Sequence, residues 1–209
     1  MKYNKIILNT SKFYNKTLLR HGSNSKGLGW SSKKLQYLRF KELVRFFNIK
    51  NSSIHDVGCG NGEMYIFLKN KGIKKYFGSD ISEIMIDKSK KRFEKVKNVQ
   101  FKKLNIYKDL KKIPKYDFTV ASGIFNIKNN FSNKLWSEYY YDSIFKMFIK
   151  SKKGLSFNIL NFDCEYKNPK NFYPKLEKTL SFIRKYMTKK ILINNTYDLW
   201  EYTIFLYKK

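Results

Sequence analysis

One stretch constrains this chain more than any other: an apolar strand runs into three glycines at alternate positions and then into a helix, Ser53-Ile54-His55-Asp56-Val57-Gly58-Cys59-Gly60-Asn61-Gly62-Glu63. Gly58, Gly60 and Gly62 tolerate backbone angles closed to other residues, so the chain turns tightly and leaves bare main chain for a ligand to lie against. A second segment, Tyr76-Phe77-Gly78-Ser79-Asp80-Ile81, closes on a carboxylate where the next parallel strand would end. An acidic residue about twenty positions past such glycines can accept hydrogen bonds from both hydroxyls of an adenosine ribose.

The spacing selects the nucleotide. Dinucleotide sites use G-x-G-x-x-G and leave a helix N-terminus open to a pyrophosphate. Here the third glycine comes one residue early, and Asp56 stands two residues before the first. A carboxylate at that tip repels phosphates and suits a cation. A ligand carrying an ammonium and a sulfonium meets that requirement. Asp56-Val57-Gly58-Cys59-Gly60-Asn61-Gly62 resembles the first motif of the class I S-adenosylmethionine-dependent methyltransferases, D-x-G-x-G-x-G, at every fixed position. The resemblance implies a Rossmann-like α/β fold, with a mostly parallel seven-stranded sheet, an antiparallel last strand and helices on both faces. It also implies S-adenosyl-L-methionine as cofactor.

With 209 residues and no linker rich in proline, glycine or serine, the chain is expected to form a single domain over 1–209, with 1–47 as an N-terminal lid and helix. The 42% hydrophobic and 18% aromatic content excludes disorder. Cys59 and Cys164 have no metal-type spacing, so neither a disulfide nor a metal site is expected. The first residues contain too short an apolar run for a signal peptide, and no segment reaches membrane-spanning length, which predicts a soluble cytoplasmic protein. A net charge of +28 invites a nucleic-acid reading. However, the basic residues are almost all scattered lysines, with arginine only at Arg20, Arg39, Arg45, Arg92 and Arg184. Nucleic-acid binders lean on arginine for bidentate contacts, and the overall composition is that of an AT-rich genome.

Residues 1–30 lack a clear period and read as a polar, glycine-bearing lid. Ser31 or Ser32 can cap a helix carrying Leu35, Leu38, Leu43, Val44 and Phe47 at helical spacing. Strands are expected at 53–57, ending at Asp80, at 99–104, 117–122 and 154–160. Helices follow Gly62 and Ser82, span 133–150, and end near Met187. Ile191-Leu192-Ile193 and Leu199 to Leu206 have no helix between them and so form a hairpin.

The resemblance carries site roles position by position. Gly58, Cys59, Gly60, Asn61 and Gly62 approach the methionine part of the cofactor, Asp56 anchors its charge and Asp80 holds the ribose. Ile81 and Met85 are either adenine walls or plain core. Asn105 and Ile106 stand where the family usually has an aspartate for the adenine amino group, and Ala121, Ser122 and Gly123 floor the sulfonium. His55, inside a strand, reads as a core histidine; His21 is the candidate base. Trp30, Gln36 and Arg39 are lid or substrate residues, or else a packing aromatic and surface polar groups.

The wider pattern, from His21-Gly22 and Gly29-Trp30 to Ala121-Ser122-Gly123-Ile124-Phe125-Asn126 and Leu199-Trp200-Glu201-Tyr202-Thr203-Ile204, is similar to small bacterial methyltransferases of unassigned substrate. This implies methyl transfer to oxygen or nitrogen of a small molecule, with a sugar or surface-glycan precursor as the class favoured by analogy. The alternatives are an RNA or DNA methyltransferase, which is not favoured because no base-methylase signature follows the fourth strand, and a non-catalytic cofactor-binding module.

Overall fold

Among the described residues, 2–208, the computed structural model shows six helices and seven strands. In chain order these are α1 (Asn4–His21), α2 (Lys33–Val44), β1 (Ser53–Val57), α3 (Glu63–Leu68), β2 (Lys75–Asp80), α4 (Glu83–Arg92), β3 (Val99–Lys103), β4 (Tyr116–Ala121), α5 (Asn133–Lys150), β5 (Ser151–Leu160), α6 (Leu176–Tyr186), β6 (Ile191–Asn194) and β7 (Glu201–Tyr207). The sheet order is β3-β2-β1-β4-β5-β7-β6. β1 to β5 pair in parallel, and β7 inserts antiparallel between β5 and β6. This is the sheet that the resemblance implied. No helix is long and apolar enough to cross a membrane among the described residues.

Strand periodicity divides the apolar residues between two layers. Neighbours in sequence point to opposite faces, so Tyr76 and Phe77 of β2 join different clusters, as do Ile54 and Val57 of β1. One face packs on α5, through Trp136, Tyr140, Ile144 and Met147, and on Ile183 of α6. The other packs on Phe40 and Leu43 of α2, Met64 and Leu68 of α3, and Ile86 of α4. A sheet covered on both faces must be apolar almost throughout, which is why the inner strands lack the alternation of a half-exposed sheet.

Caps fix several helix starts where the sequence placed them. Ser32, Ser82 and Ser132 each accept a hydrogen bond from the amide three residues on, opening α2, α4 and α5. β5 begins at Ser151 rather than 154, directly from the end of α5.

The main correction concerns residues 1–30, because most of the expected lid is the helix α1. Its buried residues are few, Ile6, Ile7 and Leu18 besides the preceding Tyr3, while Leu8 and Leu19 face solvent at 58% and 76% exposure. Apolar residues on the wrong side blur the stripe that marks an amphipathic helix. Tertiary contact supplies what propensity does not: Tyr3 packs edge-on against Tyr107 and Tyr139, and Ser82 Oγ donates to Asn15 Oδ1 at 2.6 Å. A short 3₁₀ turn, Lys26–Leu28, leads on to α2.

Gly62 opens α3 at φ 85°, and a Cβ there would lie 2.6 Å from the Phe93 ring and 3.0 Å from Phe101. Gly62→Ala is therefore expected to cost about 1–3 kcal/mol through backbone strain and overpacking. Thermal unfolding should show a midpoint several degrees lower, at roughly 2–4 °C per kcal/mol for a chain of this size. An unchanged midpoint would contradict this packing.

Candidate functional site

β1 and β4 lie side by side although two strands separate them in sequence, and a doubly wound sheet leaves a crevice outside the carboxyl ends of such a pair. A cavity of about 370 Å³ occupies that position. Its shape begins at the glycine turn, where Gly58, Gly60 and Gly62 all have positive φ, at 77°, 54° and 85°. The turn is tied to the end of β2: the Gly58 and Cys59 amides donate to the Ser79 carbonyl at 2.7 and 3.1 Å, and the Gly60 amide donates to Asp80 Oδ2 at 2.9 Å. Asp80 Oδ1 accepts from the Ser82 amide at 2.8 Å. Burial pushes the Asp80 carboxyl upward, against the opposing pull of these backbone hydrogen bonds.

Asp56, Gly58, Cys59, Gly60, Asp80, Ile81, Met85, Asn105, Ile106, Ser122 and Gly123 line this cavity, as expected from sequence, together with Trp30, Gln36 and Arg39. Asp56 is 2% exposed, and Tyr76 Oη donates to it at 2.5 Å. Burial pushes its carboxyl up to about 7; the Tyr76 bond opposes the shift and the negative charge of Asp80 adds to it. The Cys59 thiol is held well above its ordinary range by burial and by the same two carboxylates, so it stays neutral.

Five expectations need correction. Asn61 is buried outside the cavity lining and donates from Nδ2 to the Ser23 carbonyl at 2.8 Å, anchoring the loop after α1. Gly62 packs against Phe93 and Phe101, and Ala121 is 1% exposed within the core; neither lines the cavity. His21 sits exposed in the last turn of α1, also outside the lining, so the candidate base is not in the site. The Asn105 side-chain oxygen already accepts from the Tyr107 and Lys108 amides at 2.8 and 3.0 Å, leaving no free lone pair for an amino group. His55 is a core residue as expected: it is fully buried, with Nε2 and Ser79 Oγ 2.8 Å apart, and burial together with the Lys150 charge pushes it down to about 3.

Several lining residues carried no signal in the sequence. α1 contributes Thr10 and Tyr14, which face the cavity one turn apart. Burial and the nearby Asp80 charge push the Tyr14 phenol up to about 12. Asn126 and Asn171 come from two loops joined by the Ile127–Asn171 bridge. Glu201, 2% exposed, closes the far end. Arg39 Nε donates to both Glu201 oxygens, at 2.9 and 3.0 Å, and Asn158 Nδ2 donates to Oε2. Asn158 Oδ1 in turn accepts from the Gly123 amide at 2.7 Å. The Arg39 guanidinium lies 4.7 Å over the Trp30 ring, which covers Gly123 so closely that a Cβ there would meet the indole at 2.4 Å.

The charge of the cavity opposes that of the protein. Among the described residues its lining carries Asp56, Asp80 and Glu201 against Arg39 alone, with no lysine and no histidine, in a chain with 44 basic residues. Three buried polar atoms on its wall have no hydrogen-bond partner among the described residues: Thr10 Oγ1, Ser122 Oγ and Asn126 Oδ1. Orphaned groups of this kind call for a ligand or water.

Residues 54–140 match a family described as a methyltransferase domain. Over 160 residues the chain is 28% identical to Rv1506c of Mycobacterium tuberculosis, a protein named as a candidate methyltransferase, covering 75% of this chain and 93% of that protein. Its fold is similar to magnesium protoporphyrin IX methyltransferase from Synechocystis with bound SAH, at a TM-score of 0.63 and 14% identity over 83% of both chains. It is also similar to a SAM-dependent methyltransferase from Archaeoglobus fulgidus, at a TM-score of 0.60 and 19% identity, covering 88% of this chain and 97% of that one.

Arg39→Met leaves Glu201 buried without its counter-charge and should cost about 3–5 kcal/mol in denaturant unfolding. Arg39→Met combined with Glu201→Leu should recover much of that loss, because the isolated charge is then gone. A double variant no more stable than the single one would show that the pair does not act as a unit.

Proposed function

We propose that the chain is a class I methyltransferase dependent on S-adenosylmethionine and that it transfers the methyl group to an oxygen or nitrogen of a small molecule, with a sugar or surface-glycan precursor as the favoured class. The observation that carries this reading is the acidic, lysine-free cavity inside a protein of net charge +28. Its about 370 Å³ is within the range of small-molecule sites. The basic surface that would hold a polyanionic strand stands outside it.

The residues present fit the cofactor. Gly58 and Gly60 offer bare main chain to its methionine part, and Asp56 offers a carboxylate to its positive charge. Asp80, whose oxygens each retain a lone pair beyond the amides they hold, accepts from the ribose hydroxyls. Ile81, Met85, Leu104 and Ile106 form an apolar slot for the adenine. With the Asn105 oxygen engaged in its own turn, backbone groups near Ile106 are left to read the adenine edge. When bound, S-adenosylmethionine supplies a methyl group on a sulfonium for in-line displacement.

The chain's own contribution is alignment and exclusion of water. Trp30 roofs the cavity over Gly123, and the Arg39–Glu201 pair holds Trp30 in place from below. Ser122 Oγ and Asn126 Oδ1, both orphaned, hydrogen-bond the acceptor from the end of β4 and the loop after it, and Gln36 of α2 lines the same cavity. Glu201 is engaged by Arg39 and Asn158, and among the described residues no histidine lines the cavity, so no dedicated base stands ready. The proton that the acceptor loses therefore passes to solvent after the methyl group has been transferred rather than to a dedicated base.

Two measurements test the cofactor assignments. Asp80→Ala should weaken S-adenosylmethionine binding by roughly 10- to 150-fold, equivalent to losing charge-assisted hydrogen bonds of about 1.5–3 kcal/mol; unchanged affinity in calorimetry would remove Asp80 from the ribose. The pH dependence follows from Asp56, whose carboxyl is raised to about 7. A cation beside it favours the ionised form, so below that pH binding must expel a proton. Affinity should accordingly rise from pH 6 to pH 8 and level off above, with a slope approaching tenfold per unit on the acid side. Asp56→Asn should flatten the profile, and a flat wild-type profile would rule out the charge contact.

A further inference from the structure

A second cavity, of about 390 Å³, opens beside the first and is of opposite charge. Lys12 and Lys16 of α1 and Lys170 of the loop after β5 converge on it, and among the described residues its lining contains no carboxylate. None of the three forms an ion pair among the described residues. Like charges brought together around a concavity repel one another until an anion enters. Two aromatic rings, Phe13 and Phe131, and neighbouring asparagine amides complete the wall. An anion with organic substituents is better matched to this lining than a bare ion.

The location gives the site its meaning. The three segments that wall the methyl-transfer cavity on this side also wall the basic one. α1 turns Thr10 and Tyr14 to the first and Lys12 and Lys16 to the second. The loop after β4 gives Asn126 and Ile127 to the first, and Phe131 with its neighbours to the second. The loop after β5 gives Asn171 to the first and Lys170 to the second. The amides of Lys128 and Asn129 both donate to the Lys170 carbonyl, at 2.9 and 3.0 Å, which locks these two loops together. The inner cavity, with Asp56, Asp80 and Glu201, repels phosphate, while the adjoining rim attracts it.

We propose that the basic pocket holds a phosphate or diphosphate group of the methyl acceptor while the nucleophilic end of the same molecule lies in the acidic cavity, an inference that rests on the small-molecule reading above. The acceptor is then a phosphorylated small molecule, either a phosphate monoester or a diphosphate-linked compound. The charge division orients it, because the reverse orientation would place phosphates against the carboxylates of Asp56, Asp80 and Glu201.

Calorimetry with inorganic pyrophosphate at fixed ionic strength tests the pocket directly. The triple variant Lys12→Gln, Lys16→Gln, Lys170→Gln should bind roughly tenfold or more weakly than wild type. A control with the same change in net charge, Lys91→Gln, Lys111→Gln, Lys185→Gln, should bind like wild type. All six lysines are exposed, and S-adenosylmethionine should bind all three proteins equally. Equal losses in both variants, or no binding by wild type, would overturn the proposal. A second arm uses labelled cofactor with a metabolite extract, treated beforehand with alkaline phosphatase alone or with nucleotide pyrophosphatase as well. Loss of the labelled product after phosphatase alone would identify a monoester, and loss only after both enzymes a diphosphate. A product that survives both treatments would overturn the assignment of the acceptor. No product from untreated extract, with cofactor binding intact, would instead count against the small-molecule reading.

Discussion

The site depends on the join between the glycine turn and the end of β2. Three amides of the turn, from Gly58, Cys59 and Gly60, are held by the Ser79 carbonyl and the Asp80 carboxylate. A stretch of three positive-φ residues has no regular ladder of its own, so without those acceptors its amides would be left without protein partners. The same bonds position Asp80, and through Ser82 the start of α4, with Met85 and the apolar wall behind it. Ser89 of that helix returns a hydrogen bond to the Gly60 carbonyl at 2.9 Å, closing the loop of constraints. This part of the cavity wall is thus one hydrogen-bonded unit that joins the turn after β1, the end of β2 and α4.

Charge is organised by depth. Lysines occupy the outside, whereas the cavity gathers acidic residues and pushes Asp56 up to about 7. Tyr76 moderates that shift from below, so the carboxyl is held in a range where an arriving cation can ionise it. A formal charge of +28 therefore says little about what the site attracts. Field effects outside reach the cavity weakly, because solvent screens exposed charges beyond about 10 Å at ordinary ionic strength.

Most of the strands and long helices were legible in the sequence. Ser82 announced α4, amphipathic patterning over 133–150 announced α5, and the absence of a helix between Ile193 and Leu199 announced the terminal hairpin. Local signals failed where partners lie far away in sequence. Nothing around Asn61 shows that its amide reaches Ser23, or that Arg39 meets Glu201 across 162 positions. His21 looked catalytic because it is one of only two histidines in the chain, yet the helix that carries it turns it to solvent.

From the sequence alone came the glycine turn, Asp56 and Asp80, because these follow from the backbone freedom of glycine and the spacing of one βαβ unit, while the seven-stranded sheet was what the family resemblance implied. The tertiary structure alone decided that the unpatterned N-terminal segment is a helix, that the Asn61 amide reaches Ser23, and that three lysines from two distant segments converge beside an acidic cavity. Those facts depend on contacts between residues far apart in the chain, and no local pattern of residue types records which distant groups a folded backbone will bring together.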